Sequence, residues 1–135
     1  MTDHQVSIPI ITDSDIVSAR QQARELAKTF GFSSSELAGI AAAISELARN
    51  IVSYANKGMV NVSLIQESGK KGILVIVKDK GPGISDISLA MQDGYSTSNS
   101  LGLGLPGVKR LMDSFEIKTE IGKGTTITVK KWALR

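Results

Sequence analysis

The sequence predicts an α+β fold in which a mixed sheet of about five strands is covered on one face by three main helices. Apolar residues recur at helical spacing in two long segments, and several short segments alternate apolar and polar residues. Some of the short segments are separated only by tight turns, which is typical of hairpins. Because the chain has 135 residues, it is expected to form a single domain with one core, spanning residues 1–135.

The N-terminal part is predicted to contain one strand and two helices. Residues 5–10 alternate in polarity, and Pro9 places this strand at an edge of the sheet. A first helix covers residues 14–30, and a second begins at a capping box formed by Ser33 and Glu36. The second helix has the clearest apolar stripe in the chain, formed by Leu37, Ile40, Ala41, Ile44, Leu47, Ala48 and Ile51.

The C-terminal part is predicted to contain four strands and the third helix. Residues 59–67 and 72–79 are apolar enough to form two strands joined by a short turn. The third helix is expected near residues 105–113. Residues 115–121 and 125–132 are predicted to form a terminal hairpin around two glycines.

Composition excludes several kinds of site. The chain has no cysteine and one histidine, which rules out a disulfide framework and argues against a histidine-based triad or zinc site. No apolar run reaches membrane-spanning length, and a secretory leader is absent, so we expect a cytoplasmic protein without a membrane partner. The formal charge is +3, but basic residues are not clustered between aromatic ones, so nucleic acid is not an expected partner.

A glycine-rich segment has the spacing Gly102-x-Gly104-x-x-Gly107, which is that of a dinucleotide-binding turn. Such a turn must follow a buried strand directly, whereas the residues before Gly102 are polar and small. A Rossmann site is therefore excluded. Taken alone, the segment is a glycine-rich loop that opens a helix, with Pro106 in the first turn.

A second motif, Asp79-x-Gly81-x-Gly83, follows the most apolar strand. A carboxylate at the end of a buried strand is held by the sheet and can accept a hydrogen bond from an exocyclic amine of a base. The glycines would allow backbone to approach a flat ligand. The alternative is an ordinary Asp-Gly turn after a strand.

A third feature lies on the second helix, where Glu46 and Asn50 are four residues apart and therefore about 40° apart on one face. Gly39, Ala43 and Ser53 make the rest of this face small. Carboxylate and carboxamide oxygens suit Mg²⁺, and a carboxylate near metal-bound phosphates can act as a base. The alternative is a solvated face that carries an isolated Glu and Asn.

Taken in order, these features resemble the GHKL ATPases, the superfamily of gyrase, the Hsp90 chaperone, histidine kinases and the MutL repair protein. Four motifs carry the resemblance: Glu46-x-x-x-Asn50 as N box, Asp79-x-Gly81-x-Gly83 as first glycine box, Gly102-Leu103-Gly104-Leu105 as second, and Gly122-x-Gly124-Thr125 in the terminal hairpin. The compact size is similar to the bacterial serine-kinase branch, which comprises anti-sigma-factor kinases and stressosome switch kinases. The resemblance implies the GHKL α/β sandwich.

The resemblance also implies roles for individual residues. Asp79 would accept the adenine amino group, with Gly81 and Gly83 giving backbone room. Asn50 would ligate the Mg²⁺ that bridges the ATP phosphates, and Glu46 would accept the proton of an incoming serine hydroxyl.

Residues 96–104 would form a lid over the triphosphate, and Thr125 would support the adenine side. The cofactor-binding positions implied in the lid are Ser96, Thr97, Gly102, Leu103 and Gly104. Residues 96–100 include no basic side chain, and Lys109 and Arg110 follow the lid. Which basic group meets the γ-phosphate is therefore open at this stage.

For function, the resemblance implies an ATP-dependent serine/threonine-protein kinase acting on STAS-domain scaffold proteins of a stressosome. Once released, such a kinase would activate a PP2C-type phosphatase. Two alternatives remain: an anti-sigma factor with kinase activity toward its antagonist, and a non-catalytic nucleotide sensor. Glu46 argues against the sensor, because binding alone requires no base.

Overall fold

The computed structural model describes residues 4–83 and 104–134, which form five strands and three helices. The strands are β1 (Gln5–Ile10), β2 (Gly58–Glu67), β3 (Lys70–Asp79), β4 (Ser114–Glu120) and β5 (Gly124–Trp132). The helices are α1 (Asp13–Lys28), α2 (Ser34–Asn50) and α3 (Gly104–Leu111), and one π-helical turn, Ile51–Ala55, continues α2. The predicted fold class is confirmed.

The five strands form one sheet in the order β1-β2-β3-β5-β4. Every ladder among the described strands is antiparallel, whereas the sequence predicted a mixed sheet, so this detail was wrong. The reason is the position of β5. Strands β3 and β4 run in the same direction, but β5 lies between them and separates what would have been a parallel pair.

The core lies between one face of the sheet and the three helices. Alternate residues of the central strands point into it, and Val60, Val62, Val75 and Val129 are completely buried. The predicted apolar stripe of α2 packs against this face, with Ile40, Ile44 and Leu47 among its buried members. Because this apolar stripe is buried against the middle of the sheet, packing in the core fixes the position of α2.

Capping residues define where α1 and α2 begin. The carboxylate of Asp15 accepts hydrogen bonds from the backbone N–H groups of Thr12 and Ile11, which lower the pKa of Asp15 below its ordinary value. The predicted capping box of α2 is present: Ser33 N donates to Glu36 at 2.7 Å, and Glu36 N donates to the Ser33 hydroxyl.

Glu36 also makes a long-range hydrogen bond that its position in the sequence did not predict. Its other carboxylate oxygen accepts a hydrogen bond from the backbone N–H of Leu134, 98 residues away, at 3.1 Å. Glu36 is only 8% exposed. The start of α2 is therefore tied to the segment that follows β5.

The third helix ends two residues before the predicted end at 113. Asp113 instead contacts β5, because its N–H donates to the carbonyl of Lys130 and its carboxylate accepts from Trp132 N. Within the described ranges, none of the helices combines the length and the apolar character needed to cross a membrane.

Candidate functional site

The described site residues lie at one end of the two layers. Asn50 ends α2, Asp79 ends β3, Gly104 begins α3, and Thr125 lies at the start of β5. This follows from chain direction, because α2 and β3 run toward this end and α3 and β5 run away from it. Residues far apart in sequence are thereby brought to a single rim.

Asp79 and Thr125 are direct partners in the β3–β5 ladder. Thr125 is 8% exposed, and its hydroxyl lies 2.9 Å from that of Thr119 on β4. The Oδ1 atom of Asp79 accepts a hydrogen bond from Gly81 N at 2.8 Å. This bond fixes the carboxylate in the turn, and among residues 4–83 and 104–134 no hydrogen bond to Oδ2 is present.

Gly81 and Gly83 are required by the packing of the chain itself. A Cβ on Gly81 would lie 2.6 Å from Cβ of Ala55 in the π-helical turn. Gly83 has φ +82°, and a Cβ there would lie 2.6 Å from the carbonyl oxygen of Glu120 at the end of β4. The turn after Asp79 is therefore held between the end of the α2 segment and the β4–β5 hairpin.

Gly124 makes the closest approach in this region. Its φ is +109°, and a Cβ would overlap the carbonyl oxygen of Asp79 and lie 2.7 Å from Cα of Lys80. Only glycine fits this conformation and this distance together. The hairpin glycine thus positions the backbone of the residue that we expect to recognise adenine.

Glu46 is buried, with 5% of its surface exposed, and Ala43 one turn earlier is completely buried. This face of α2 is therefore covered at Ala43 and Glu46, whereas Ser53 farther along it is exposed. The Oε1 atom of Glu46 lies 3.2 Å from Nη1 of Arg49, whose side chain is 39% exposed. A buried carboxylate of this kind needs a charged partner or hydrogen bonds, and Arg49 supplies both.

Asn50 stands where the α-helix changes into a π-helical turn, which ends at Asn56 with φ +70°. Single π-helical turns are frequent at functional sites because they alter the direction of the side chains around them. Here the turn brings Ala55 against Gly81. It therefore connects the Glu46–Asn50 face to the Asp79 turn.

Helix α3 packs on the small face of α2, where Leu111 Cδ2 lies 3.6 Å from the position that a Cβ of Gly39 would occupy. Since the two helices run in broadly opposite directions and residues in both rise about 1.5 Å each, the seven-residue step from Leu111 to Gly104 matches the step from Gly39 to Glu46. The N-terminus of α3 therefore points toward the end of the molecule at which α2 ends. Its N–H groups and dipole favour a negatively charged ligand.

Four predicted site residues, Ser96, Thr97, Gly102 and Leu103, lie outside the described part of the chain, as does the predicted lid up to Gly104. Lys109 and Arg110, which follow the lid in sequence, lie in the last turn of α3, at the end opposite to Gly104.

Sequence reasoning missed Arg49. Its spacing of three residues from Glu46 is the signal that could have identified it, because residues at i and i+3 are neighbours on a helix surface.

The donor set of this rim fits a magnesium-bound nucleotide. Asp79 presents an anionic acceptor, Asn50 an amide oxygen, and α3 a helix N-terminus. Mg²⁺ at phosphate sites keeps water ligands and takes one or two protein oxygens, so the Asn50 oxygen is a suitable ligand.

Comparison with known proteins decides the family. The model of the histidine kinase-like ATPase domain matches residues 12–131. The chain belongs to the histidine kinase-like ATPase family. It is 52% identical to the serine/threonine-protein kinase RsbT of Bacillus subtilis over 128 residues, covering 95% of this chain and 96% of RsbT. It is also 35% identical to the anti-sigma F factor of Geobacillus stearothermophilus over 103 residues, covering 71% of this chain and 69% of that protein.

Two solved structures share the fold. The RsbU and RsbW domains of a Mycobacterium tuberculosis protein superpose with a TM-score of 0.65 at 22% identity, covering 94% of this chain and 32% of that one. The mycobacterial sensor histidine kinase MprB superposes with a TM-score of 0.56 at 16% identity, covering 96% and 97% of the two chains. At these identities the likeness concerns the fold alone.

The contact between Gly124 and Asp79 in this ATPase fold predicts a difference between two hairpin glycines. Gly122 has φ +79° with no atom within 4 Å of a Cβ, so Gly122→Ala carries backbone strain only, about 1–2 kcal/mol. Gly124→Ala adds an overlap with Asp79 and is expected to cost a further 1–3 kcal/mol, approximately. Urea denaturation measures both losses. Equal losses for the two variants would show that the contact does not constrain the turn.

Proposed function

We propose that this chain is an ATP-dependent protein serine/threonine kinase. The observation that carries the proposal is the buried carboxylate of Glu46, which lies one turn before Asn50 on the same face of α2, the helix whose end reaches the rim of Asp79. A protein that only binds nucleotide has no need of a buried acid at this place. The 52% identity to a serine/threonine-protein kinase over nearly the whole of both chains supports the same assignment.

In this proposal, Asp79 selects adenine. Its Oδ1 is engaged by Gly81 N, so Oδ2 accepts the hydrogen bond from the adenine amino group. Gly81 and Gly83 shape the turn that holds the carboxylate in place, and the buried Thr125 closes the pocket from β5.

The phosphate side of the site is built around the end of α2 and the start of α3. Asn50 would ligate Mg²⁺, and the N-terminal N–H groups of α3 would meet phosphate oxygens. The cofactor-binding positions predicted in the lid, Ser96, Thr97, Gly102, Leu103 and Gly104, would cover the triphosphate from the segment before α3.

Bound Mg²⁺–ATP supplies the γ-phosphoryl group, and ADP takes the electron pair of the broken bond. Glu46 accepts the proton of the substrate hydroxyl as the serine oxygen forms its bond to phosphorus. The residues of the rim contribute mainly by positioning the hydroxyl and by neutralising charge, which is where most of the catalysis of phosphoryl transfer comes from.

We propose STAS-domain scaffold proteins of a stressosome as the substrates and a PP2C-type phosphatase as the partner that is activated after release. A phosphate on the docked scaffold adds about −1.5 to −2 charge beside Glu46 and the nucleotide phosphates. Like charges in a closed interface repel, so phosphorylation should release the kinase. We propose that this exchange of partners takes place in the cytoplasm.

A second candidate is an anti-sigma factor that also phosphorylates its antagonist. The 35% identity to an anti-sigma F factor favours it, although the match covers less of the chain than the match to RsbT does. The two candidates share the nucleotide site and differ in the protein that is bound.

The first prediction of the proposed function concerns adenine. Asp79→Asn places an amide N–H₂ opposite the adenine amine and removes a charged acceptor, so the affinity for ATP should fall about 10- to 100-fold. Isothermal calorimetry on folded protein measures this, with Asp13→Asn, an exposed residue on α1, as the control. Unchanged affinity in the Asp79 variant would remove Asp79 from the adenine site.

The next prediction separates binding from chemistry. Glu46→Gln preserves shape and should still bind ATP, but transfer of labelled phosphate to a protein substrate should slow by about 10²–10⁴-fold, because the base is lost. Glu116→Gln, on the exposed surface of β4, is the matched control. Transfer at the native rate by the Glu46 variant would show that another group takes the proton.

A third prediction distinguishes the two candidate functions. The STAS-domain protein that receives labelled phosphate from this chain should bind it about tenfold more tightly with its target serine changed to alanine than with aspartate there. Surface plasmon resonance measures both affinities. Equal affinities, or tight binding to a sigma factor without a STAS substrate, would favour the anti-sigma function.

A further inference from the structure

The pair formed by Arg49 and Glu46 presents an electrostatic problem for the proposed kinase, on which the following inference rests. A buried carboxylate lies at the place where a triphosphate of the same sign of charge must arrive. Two like charges in a partly desolvated site repel strongly unless a cation lies between them or beside them. The Mg²⁺ proposed at Asn50 would offset part of this repulsion, and a positive side chain close to both Glu46 and the γ-phosphate would offset the rest.

Among the described residues, Arg49 meets this requirement through its position. On α2, Arg49 lies about 60° from Glu46, on the side opposite to Asn50. The proposed base, the cation and the proposed metal ligand therefore lie within about one helical turn of each other. Its guanidinium already contacts Glu46. By contrast, Lys109 and Arg110 lie in the last turn of α3, away from its phosphate-binding end, and Lys123 pairs with Glu120 on the hairpin.

The geometry of the pair indicates that it can be exchanged. The N–O distance of 3.2 Å is longer than the 2.7–2.9 Å typical of a charge-assisted hydrogen bond. The contact engages Nη1, and a guanidinium has five N–H donors in a planar fork that matches the oxygens of a phosphate. With 39% of its side chain exposed, Arg49 has space to move, whereas Glu46 is enclosed.

We propose that Arg49 is the γ-phosphate-binding residue of this site and that it exchanges Glu46 for the γ-phosphate when ATP binds. In the nucleotide-free protein the guanidinium neutralises the buried carboxylate. When ATP is bound it turns to the γ-phosphate and frees Glu46 to accept a proton. ADP lacks the group that draws Arg49 away, so the pair persists and the base stays occupied.

The test is a cycle of ATP and ADP affinities, measured by calorimetry in the presence of Mg²⁺. Arg49→Gln should weaken ATP binding about 10- to 100-fold and leave ADP binding within about threefold. Arg49→Lys should be intermediate for ATP, because it keeps the charge and loses the fork. Arg24→Gln, an exposed residue on α1, is the control and should change neither affinity.

The double variant Glu46→Gln/Arg49→Gln excludes an indirect effect through Glu46 and carries no unpaired buried charge that could prevent folding. If Arg49 binds the γ-phosphate, then Arg49→Gln still weakens ATP selectively in the Glu46→Gln background. If the loss disappears in that background, Arg49 only neutralises Glu46 and the inference is wrong.

The failure of this inference differs from the failure of the proposed function. If Arg49→Gln lowers the affinities for ATP and ADP to the same extent, or lowers neither, the proposed role of Arg49 is wrong. ATP binding by the unmodified protein would still support the nucleotide site. Absence of ATP binding by the unmodified protein overturns both.

Discussion

The contact between the backbones of Gly124 and Asp79 is the constraint on which the rim depends. Because β5 lies directly against β3 at this point, the end of the apolar strand cannot shift without moving the hairpin that joins β4 to β5. Gly83 and Gly122 extend the same association, since Gly122 N donates to the carbonyl of Pro82 at 2.9 Å. The turn that carries the Asp79 carboxylate is thus held on two sides by backbone, which no side-chain rotation can loosen.

Helix α2 performs two tasks at once. One side supplies Ile40, Ile44 and Leu47 to the core, so the helix is fixed in position and orientation by apolar burial. The opposite side carries the carboxylate of Glu46, which is buried. A rigid helix holds its side chains in place, but an uncompensated charge buried on it is costly. The guanidinium of Arg49, three residues after Glu46, offsets that cost.

The local elements could be predicted from the sequence because their signals are local. Ser33 and Glu36 specify the start of α2 within four residues, and Asp79 follows an uninterrupted apolar strand. The arrangement of β5 between β3 and β4 could not be predicted in the same way, because strand order depends on pairings between residues distant in sequence. For the same reason, the sequence pattern did not predict the hydrogen bond from Leu134 N to Glu36. Gly81 and Gly83 were predicted to leave room for a ligand. The structure shows that the chain itself also requires them, because Gly81 packs against Ala55 and Gly83 packs against Glu120.

The place of β5 also has a consequence for how the protein is made. This strand follows every other described element in the sequence, yet it occupies an interior position in the sheet. A nascent chain can therefore assemble β1, β2 and β3 under the first two helices while the far edge of β3 still has its backbone groups unpaired. Until Thr125 has left the ribosome, Asp79 is paired across the sheet with Gly58 of β2 and lacks its partner on β5. The unpaired edge of β3 in such an intermediate is open to edge-to-edge association until β5 pairs with it.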